Sequence, residues 1–465
     1  MNSTLRYWAF VGYCFLAYPP TWLLAQPEVM AQTTYKNPLI RPENVFRSIE
    51  QALKTPEIVH HLDLSQQNLT HLPAEIGRFA HLRILDLHSN QLSQLPNEIV
   101  QLSALEEVNL SFNPGLDVRS ALALLAQLPG LKRLFLSNNN LQSLPPQIGN
   151  LQQLESLDLY TNNLMALPAE LGKLVHLKEL YLQANQLAFL PAEVSKLASL
   201  QILDLFFNQI RELPENLGQL KNLRILNLNQ NFLNQLPLGI AQLNNLQSLY
   251  LEMNPILDYA ATLRLLGQLP QLKVLHLSNN TLRKLPKEIG ELNHLQELYL
   301  DENELIELPD EICQLSHLRI LSLSRNQLRQ LPPQAEKLNR LRKINLSYNA
   351  ELEMSQVLAQ LQGLVNLTDL DISATRLAFL PDEITYLPYL KHLSLRENMI
   401  RGVNPKLSEL KELVFIDLSH NQIELLPDEF RQCARLREVN LRHNEIPDAQ
   451  QVFWQALLPQ VKFSF

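Results

Sequence analysis

A chain of 465 residues that is 46% hydrophobic, with a formal net charge of -8, has ample apolar material for burial and the wrong sign of charge for a phosphate-backbone partner. Nucleic-acid binding is therefore not expected. The 12 glycines and 3 cysteines form no GxGxxG, GxxxxGK, GxSxG or CxxC motif, and HExxH is also missing, so no cofactor and no catalytic residue is expected and the chain is read as not an enzyme.

Residues 1–31 stand apart from the rest. Arg6 precedes an apolar run over residues 7–18, Pro19 and Pro20 interrupt it, and Ala25 or Ala31 offers a small-residue cleavage site before Gln26 or Gln32. This pattern predicts a secretory signal peptide, with an uncleaved anchor as the alternative. The run is short for a spanning helix. The processed chain is thus expected outside the cytoplasm (periplasmic, cell-surface or secreted), as a monomer with no stable membrane span. Residues 32–58 are expected to be an N-terminal cap, with Val45, Phe46, Ile49 and Leu53 on one face of a helix over 43–53.

From Val59 to Asn444 the nine-residue pattern LxxLxLxxN recurs seventeen times, its last position spaced by 23 residues thirteen times and by 26 residues three times. In Leu82-Arg83-Ile84-Leu85-Asp86-Leu87-His88-Ser89-Asn90, the leucines at positions 4 and 6 alternate with positions 3, 5 and 7, which predicts a short strand with one buried face. Asparagine at position 9 carries both donors and an acceptor for backbone groups inside the stack. Gln67 and Thr375 depart from it, which suggests an edge unit and a local irregularity. The second half of each unit reads LPxxIxxL, and proline rules out a strand there. In the three long units, stretches such as 120–128 and 262–269 have apolar residues at helical spacing and should form fuller helices. Their spacing, 95 residues from Asn254 to Asn349 and 95 again from Asn349 to Asn444, reads as a four-unit module copied in tandem.

Over residues 59–446 this pattern resembles the leucine-rich repeat family, in the 23-residue LPxxIxxL form of exported bacterial proteins. The resemblance implies an α/β solenoid, a horseshoe with a parallel concave sheet of about seventeen strands and short helices or irregular segments on the convex side. It also implies non-catalytic recognition, usually of a protein. Residues 447–465 should form a C-terminal cap, with Val452, Phe453, Ala456 and Leu457 on a helix over the last unit. Cys313 and Cys433 lie too many units apart for a disulfide, and Cys433 occupies a leucine position.

On the strands, positions 5 and 7 should face the concavity. There the fourth to eleventh units place Phe135, Tyr160, Tyr181, Phe206, Tyr250 and Tyr299, with Phe207 and Met253 at position 8. Glu179, Asp204 and Glu252 are among the acids around them, with Asp158, Glu297, Asp301 and Glu302; only Arg133 is basic. Large rings beside carboxylates predict a binding strip for a basic or mixed polar and aromatic protein ligand. Cell-wall or glycan binding, by stacking on sugar rings, and a purely structural envelope role are the alternatives. A column of Glu397, His420 and His443 has metal-ligand residue types, but Arg396 and Arg442 beside it oppose a cation, so no metal is expected.

Overall fold

The computed structural model describes residues 45–465; the signal-like segment lies outside them. Each repeat contributes one three-residue strand, and nineteen strands, β1 (Val45–Phe46) to β19 (Lys462–Ser464), form a single sheet in which consecutive strands pair in parallel. Seventeen of these are the repeat strands and one more comes from each end. Leucines at positions 4 and 6 are shut away, as at Leu85, Leu87, Leu226 and Leu228, in one continuous core.

The asparagine ladder runs behind the sheet. Asn231 Nδ2 donates to the carbonyls of Leu228 in its own unit (3.1 Å) and Leu205 in the preceding one (3.0 Å), while its Oδ1 accepts from Ile210 N (3.0 Å). Where the ladder departs from asparagine the sheet continues. Gln67 reaches the segment before the first repeat, donating from Nε2 to Arg47 O (2.9 Å). Thr375 Oγ1 donates to Ile372 O (2.9 Å) in its own unit, and its strand, β15 (Asp369–Asp371), keeps register with both neighbours.

Position 8 carries a backbone feature that the pattern does not advertise. All seventeen residues there, none of them glycine, have φ between 50° and 60°, the left-handed region that costs an L-residue about 1 kcal/mol. In all but the last unit the turn is held in place because its N–H continues the sheet bonding, as Phe207 N to Asn229 O (3.0 Å) and Glu302 N to Ser324 O (2.9 Å).

On the convex side, prolines such as Pro96, Pro168 and Pro309 head short 3-10 segments. The helices, in chain order, are α1 (Ile49–Ala52), α2 (Val118–Leu125), α3 (Tyr259–Leu266), α4 (Met354–Gln360) and α5 (Asp448–Leu457). The three long units supply α2, α3 and α4, as their periodicity predicts. Asp117 and Asp258 cap α2 and α3 by accepting from Ser120 N and Ala261 N.

Both ends differ from expectation in detail. Val45 and Phe46 are not helical; they pair as a strand with His61 and Leu62, because an open sheet edge presents unpaired backbone groups that extended residues can satisfy. Helix α5 forms, but Val452, Phe453, Ala456 and Leu457 are exposed. Trp454 seals the end instead, 1% exposed and edge-on to Phe430 at 6.1 Å, assisted by Leu458 and Val461. Cys313 and Cys433, the cysteines among the described residues, are free and buried, and burial pushes their thiols up to about 11, which leaves them unreactive. No helix among the described residues is long and apolar enough to cross a membrane.

Candidate recognition surface on the concave face

Strand register aligns position 5 into one column. Phe135, Asp158, Tyr181, Asp204, Asn227, Tyr250, His276, Tyr299 and Ser322 are successive partners across adjacent strands. Position 7 sets a second column beside it, with Tyr160, Phe206 and Glu252. The column divides into two aromatic regions. Asn227, with Asn229 beside it at position 7 of the same unit, separates them.

In the first region, Tyr160 is 41% exposed and Phe135, Phe206 and Phe207 are half-buried, the last two with ring centroids 6.1 Å apart. Glu179 is half-buried. Tyr181, by contrast, is 9% exposed, because it fills the gap between two short aspartates. It buries both in turn. The carboxyls of Asp158 and Asp204 are each pushed up to about 6 by burial, although they accept from Tyr160 N (2.8 Å) and Phe206 N (3.0 Å). Asp204 is therefore a charge held at a cost, and not an exposed steering group.

Burial of these carboxyls ties stability to pH. A carboxyl whose pKa rises from 3.8 unfolded to about 6 folded binds more protons in the native state between those values, so stability should rise as pH falls from 7 toward 4. For Asp204 the full effect is on the order of 3 kcal/mol, and less for the more accessible Asp158. Urea melts of the native chain should show a higher midpoint at pH 5 than at pH 7.5, and Asp204→Asn should flatten that difference. A midpoint that falls between pH 7.5 and 5 in the native chain contradicts this.

In the second region three rings stack. Tyr250 and His276 lie 4.6 Å apart at 24°, and His276 and Tyr299 4.1 Å apart at 10°. Tyr250 is 8% exposed and Met253, on the rim, is half-buried. Glu252, also buried, accepts from His276 Nδ1 (3.0 Å), and Tyr299 Oη donates to Glu297 Oε2 (2.9 Å). His276, not expected as an aromatic residue of the strip, is a ring of the same column by its register slot between two tyrosines. Beyond the stack lies an open pocket of about 300 Å³. Its rim includes Arg325, whose guanidinium sits 4.1 Å from the centre of the Tyr348 ring.

The other sequence candidates are engaged elsewhere. Glu397 accepts from Tyr348 Oη (2.6 Å) and pairs with Arg396 (2.7 Å), while His420 and His443 stack at 4.1 Å. Among the described residues no group of three or more His, Cys, Asp or Glu is placed to hold a metal. Arg133 pairs with Glu107 at 2.6 Å.

Two family models match the sequence: one described as a leucine-rich repeat region, over residues 169–258 and 251–376, and one described as a leucine rich repeat, over 59–114, 129–187 and 365–423. No curated protein matches it. Among solved structures, a leucine-rich repeat protein of Leptospira interrogans is similar at 33% identity, with a TM-score of 0.70, over 90% of this chain and 99% of that one. The plant peptide hormone receptor RGFR1 in complex with RGF2 shares 29% identity, with a TM-score of 0.53, over 82% of this chain and 66% of the receptor. An internalin of Listeria monocytogenes shares the fold at 24% identity and a TM-score of 0.55, over 68% of this chain and 87% of that one. With its repeat pattern, ladder and parallel solenoid matched in this way, the chain belongs to the leucine-rich repeat family.

Proposed function

We propose that this protein is an exported, non-catalytic recognition protein whose concave face binds a protein or peptide ligand of basic or mixed polar and aromatic character. The observation that carries the reading is the strip of Phe135, Tyr160, Phe206 and Phe207, partly exposed beside Glu179 on adjoining strands. Such rings supply contact area at low entropic cost and are frequent anchors of protein interfaces. Gln183, at position 7 between Tyr160 and Phe206, has a buried Oε1 with no hydrogen-bond partner; rotation of its amide would offer an acceptor to a ligand N–H. A peptide-bound receptor among the similar structures supports a ligand of this class. Export rests on the sequence of residues 6–31.

Phe206 and Tyr160 are the informative positions, since Tyr181 and Tyr250 are buried enough that alanine there disturbs the sheet surface. Phe206→Ala should weaken binding of a ligand captured from the native envelope by about 2 kcal/mol, roughly 30-fold in Kd. Glu179→Lys should slow association with a basic ligand. Ser394→Ala, on a strand outside the strip, is the control. Unchanged affinity in a folded Tyr160→Ala, Phe206→Ala double variant removes the strip from consideration and moves the search to the loop edges.

A further inference from the structure

We infer that the concave face carries, between β12 (Glu297–Tyr299) and β14 (Lys343–Asn345), a pocket for the guanidinium group of one arginine side chain of a peptide or protein ligand. This deepens the proposed recognition function and rests on it. The ring column built by Tyr250, His276 and Tyr299 stops at Tyr299, because the next register partner is Ser322. Strands lie about 4.8 Å apart, so a flat group seated over Ser322 falls at stacking distance from the Tyr299 ring. The pocket of about 300 Å³ is lined by both residues. It is large enough for a guanidinium and its stem, and small among ligand pockets.

Charge selects which flat group fits. Asp301 faces the pocket and is fixed in orientation: Ser322 Oγ (2.6 Å), Ser324 Oγ (2.6 Å) and Ser324 N (2.9 Å) all donate to its Oδ1. All three of these bonds fall on one oxygen, so the second is left to a ligand. Glu302 stands next to it, exposed, with its own Arg325 no nearer than 3.9 Å. Arg325 is drawn away onto Tyr348 at 4.1 Å, so the neighbouring units already display a guanidinium on a tyrosine face. A planar cation satisfies both the ring and the carboxylate; an ammonium forfeits the stacking, and a neutral ring gives the carboxylate's second oxygen no donor. Lys343, also in the lining, adds a positive charge that disfavours a second cation.

The test is titration of the full chain with N-acetyl-arginine amide at low salt, followed by ligand-observed NMR, beside the lysine, citrulline and tyrosine amides. The arginine probe should bind roughly fivefold tighter than each of the others. Asp301→Asn should weaken it by a similar factor, and Ser322→Tyr, which puts a fourth ring in the slot, should abolish it. Equal binding of all four probes, or arginine binding untouched by both folded variants, overturns the assignment. Phe206→Ala should leave the probe's affinity unchanged. If arginine preference is absent while Phe206→Ala still weakens the envelope ligand, only the pocket is wrong; the reverse result sinks only the aromatic strip.

Discussion

Replacing Asn231 by alanine should destabilise the protein by about 4 kcal/mol, more than most core truncations of similar size. The side chain is 2% exposed and bonds both to its own unit and to the preceding one. Its loss leaves Ile210 N without its acceptor in a space closed to water, and removes one of the two asparagine donors of Leu205 O and of Leu228 O, which keep Asn208 and Asn254. The orphaned N–H costs roughly 1–3 kcal/mol, and each of the two lost carbonyl bonds about 1 kcal/mol. The bonds also cross between units, and a solenoid is held together only by contacts between neighbours. Asn231→Ala lies in the eighth of the seventeen repeats, so denaturation should split into two transitions, one for each side. Asn444→Ala, at the half-buried last rung, should only fray the end. A single transition with a shift under about 1 kcal/mol for Asn231→Ala would falsify the view that the ladder couples the units. Asn231→Asp should be at least as damaging, because a carboxylate cannot donate to either carbonyl.

Repetition is what makes the fold legible in the sequence. A residue that recurs at fixed spacing meets the same neighbours each time, so the surroundings of Leu85, Asn90 and Pro96 are written in the equivalent positions one unit away. Val108 takes the leucine slot beside Leu85 without altering the fold, since it is buried in the same core. The ends lack one neighbour, and there the pattern misleads. Val45 and Phe46 have helical spacing with Ile49, yet the open edge of β2 (His61–Asp63) recruits them as a strand. At the other end, the choice of Trp454 over Phe453 depends on how α5 rotates against Phe430. Periodicity does not encode that rotation.

The candidate site is legible as columns but not as depths. Register follows from the spacing, which places Tyr181 and Phe206 on the concave side. Exposure follows from the size of the neighbours. Tyr181 sinks between Asp158 and Asp204, whereas Tyr160 stands clear. The stack around His276 and the pocket beyond Tyr299 depend on side-chain directions that a count of aromatic residues leaves out.

On the convex side, Gly239→Ala should cost about 3 kcal/mol through overpacking, although it replaces a hydrogen by a methyl group in a segment with ordinary φ. The 3-10 segments Glu215–Gln219 and Leu238–Gln242 approach so closely that a Cβ on Gly239 would lie 2.1 Å from Glu215 O, and a Cβ on Gly218 2.1 Å from Gly239 O. Backbone cannot yield as a flexible side chain does. The two segments must therefore separate, while the strands behind them stay fixed at about 4.8 Å by their hydrogen bonds. The strain falls on the packing of Leu217 and Ile240, both fully buried. Where a long unit places a full helix on this side, the wider element, about 10 Å across, already demands such spreading; between Gly218 and Gly239 nothing provides for it. Gly402→Ala is the matched control, since a Cβ there meets nothing within 4 Å, and its stability should stay within about 0.5 kcal/mol of the native chain. Equal denaturation midpoints for Gly239→Ala and Gly402→Ala would show that the return segments can slide apart freely, and that glycine at this contact is not required by its closeness.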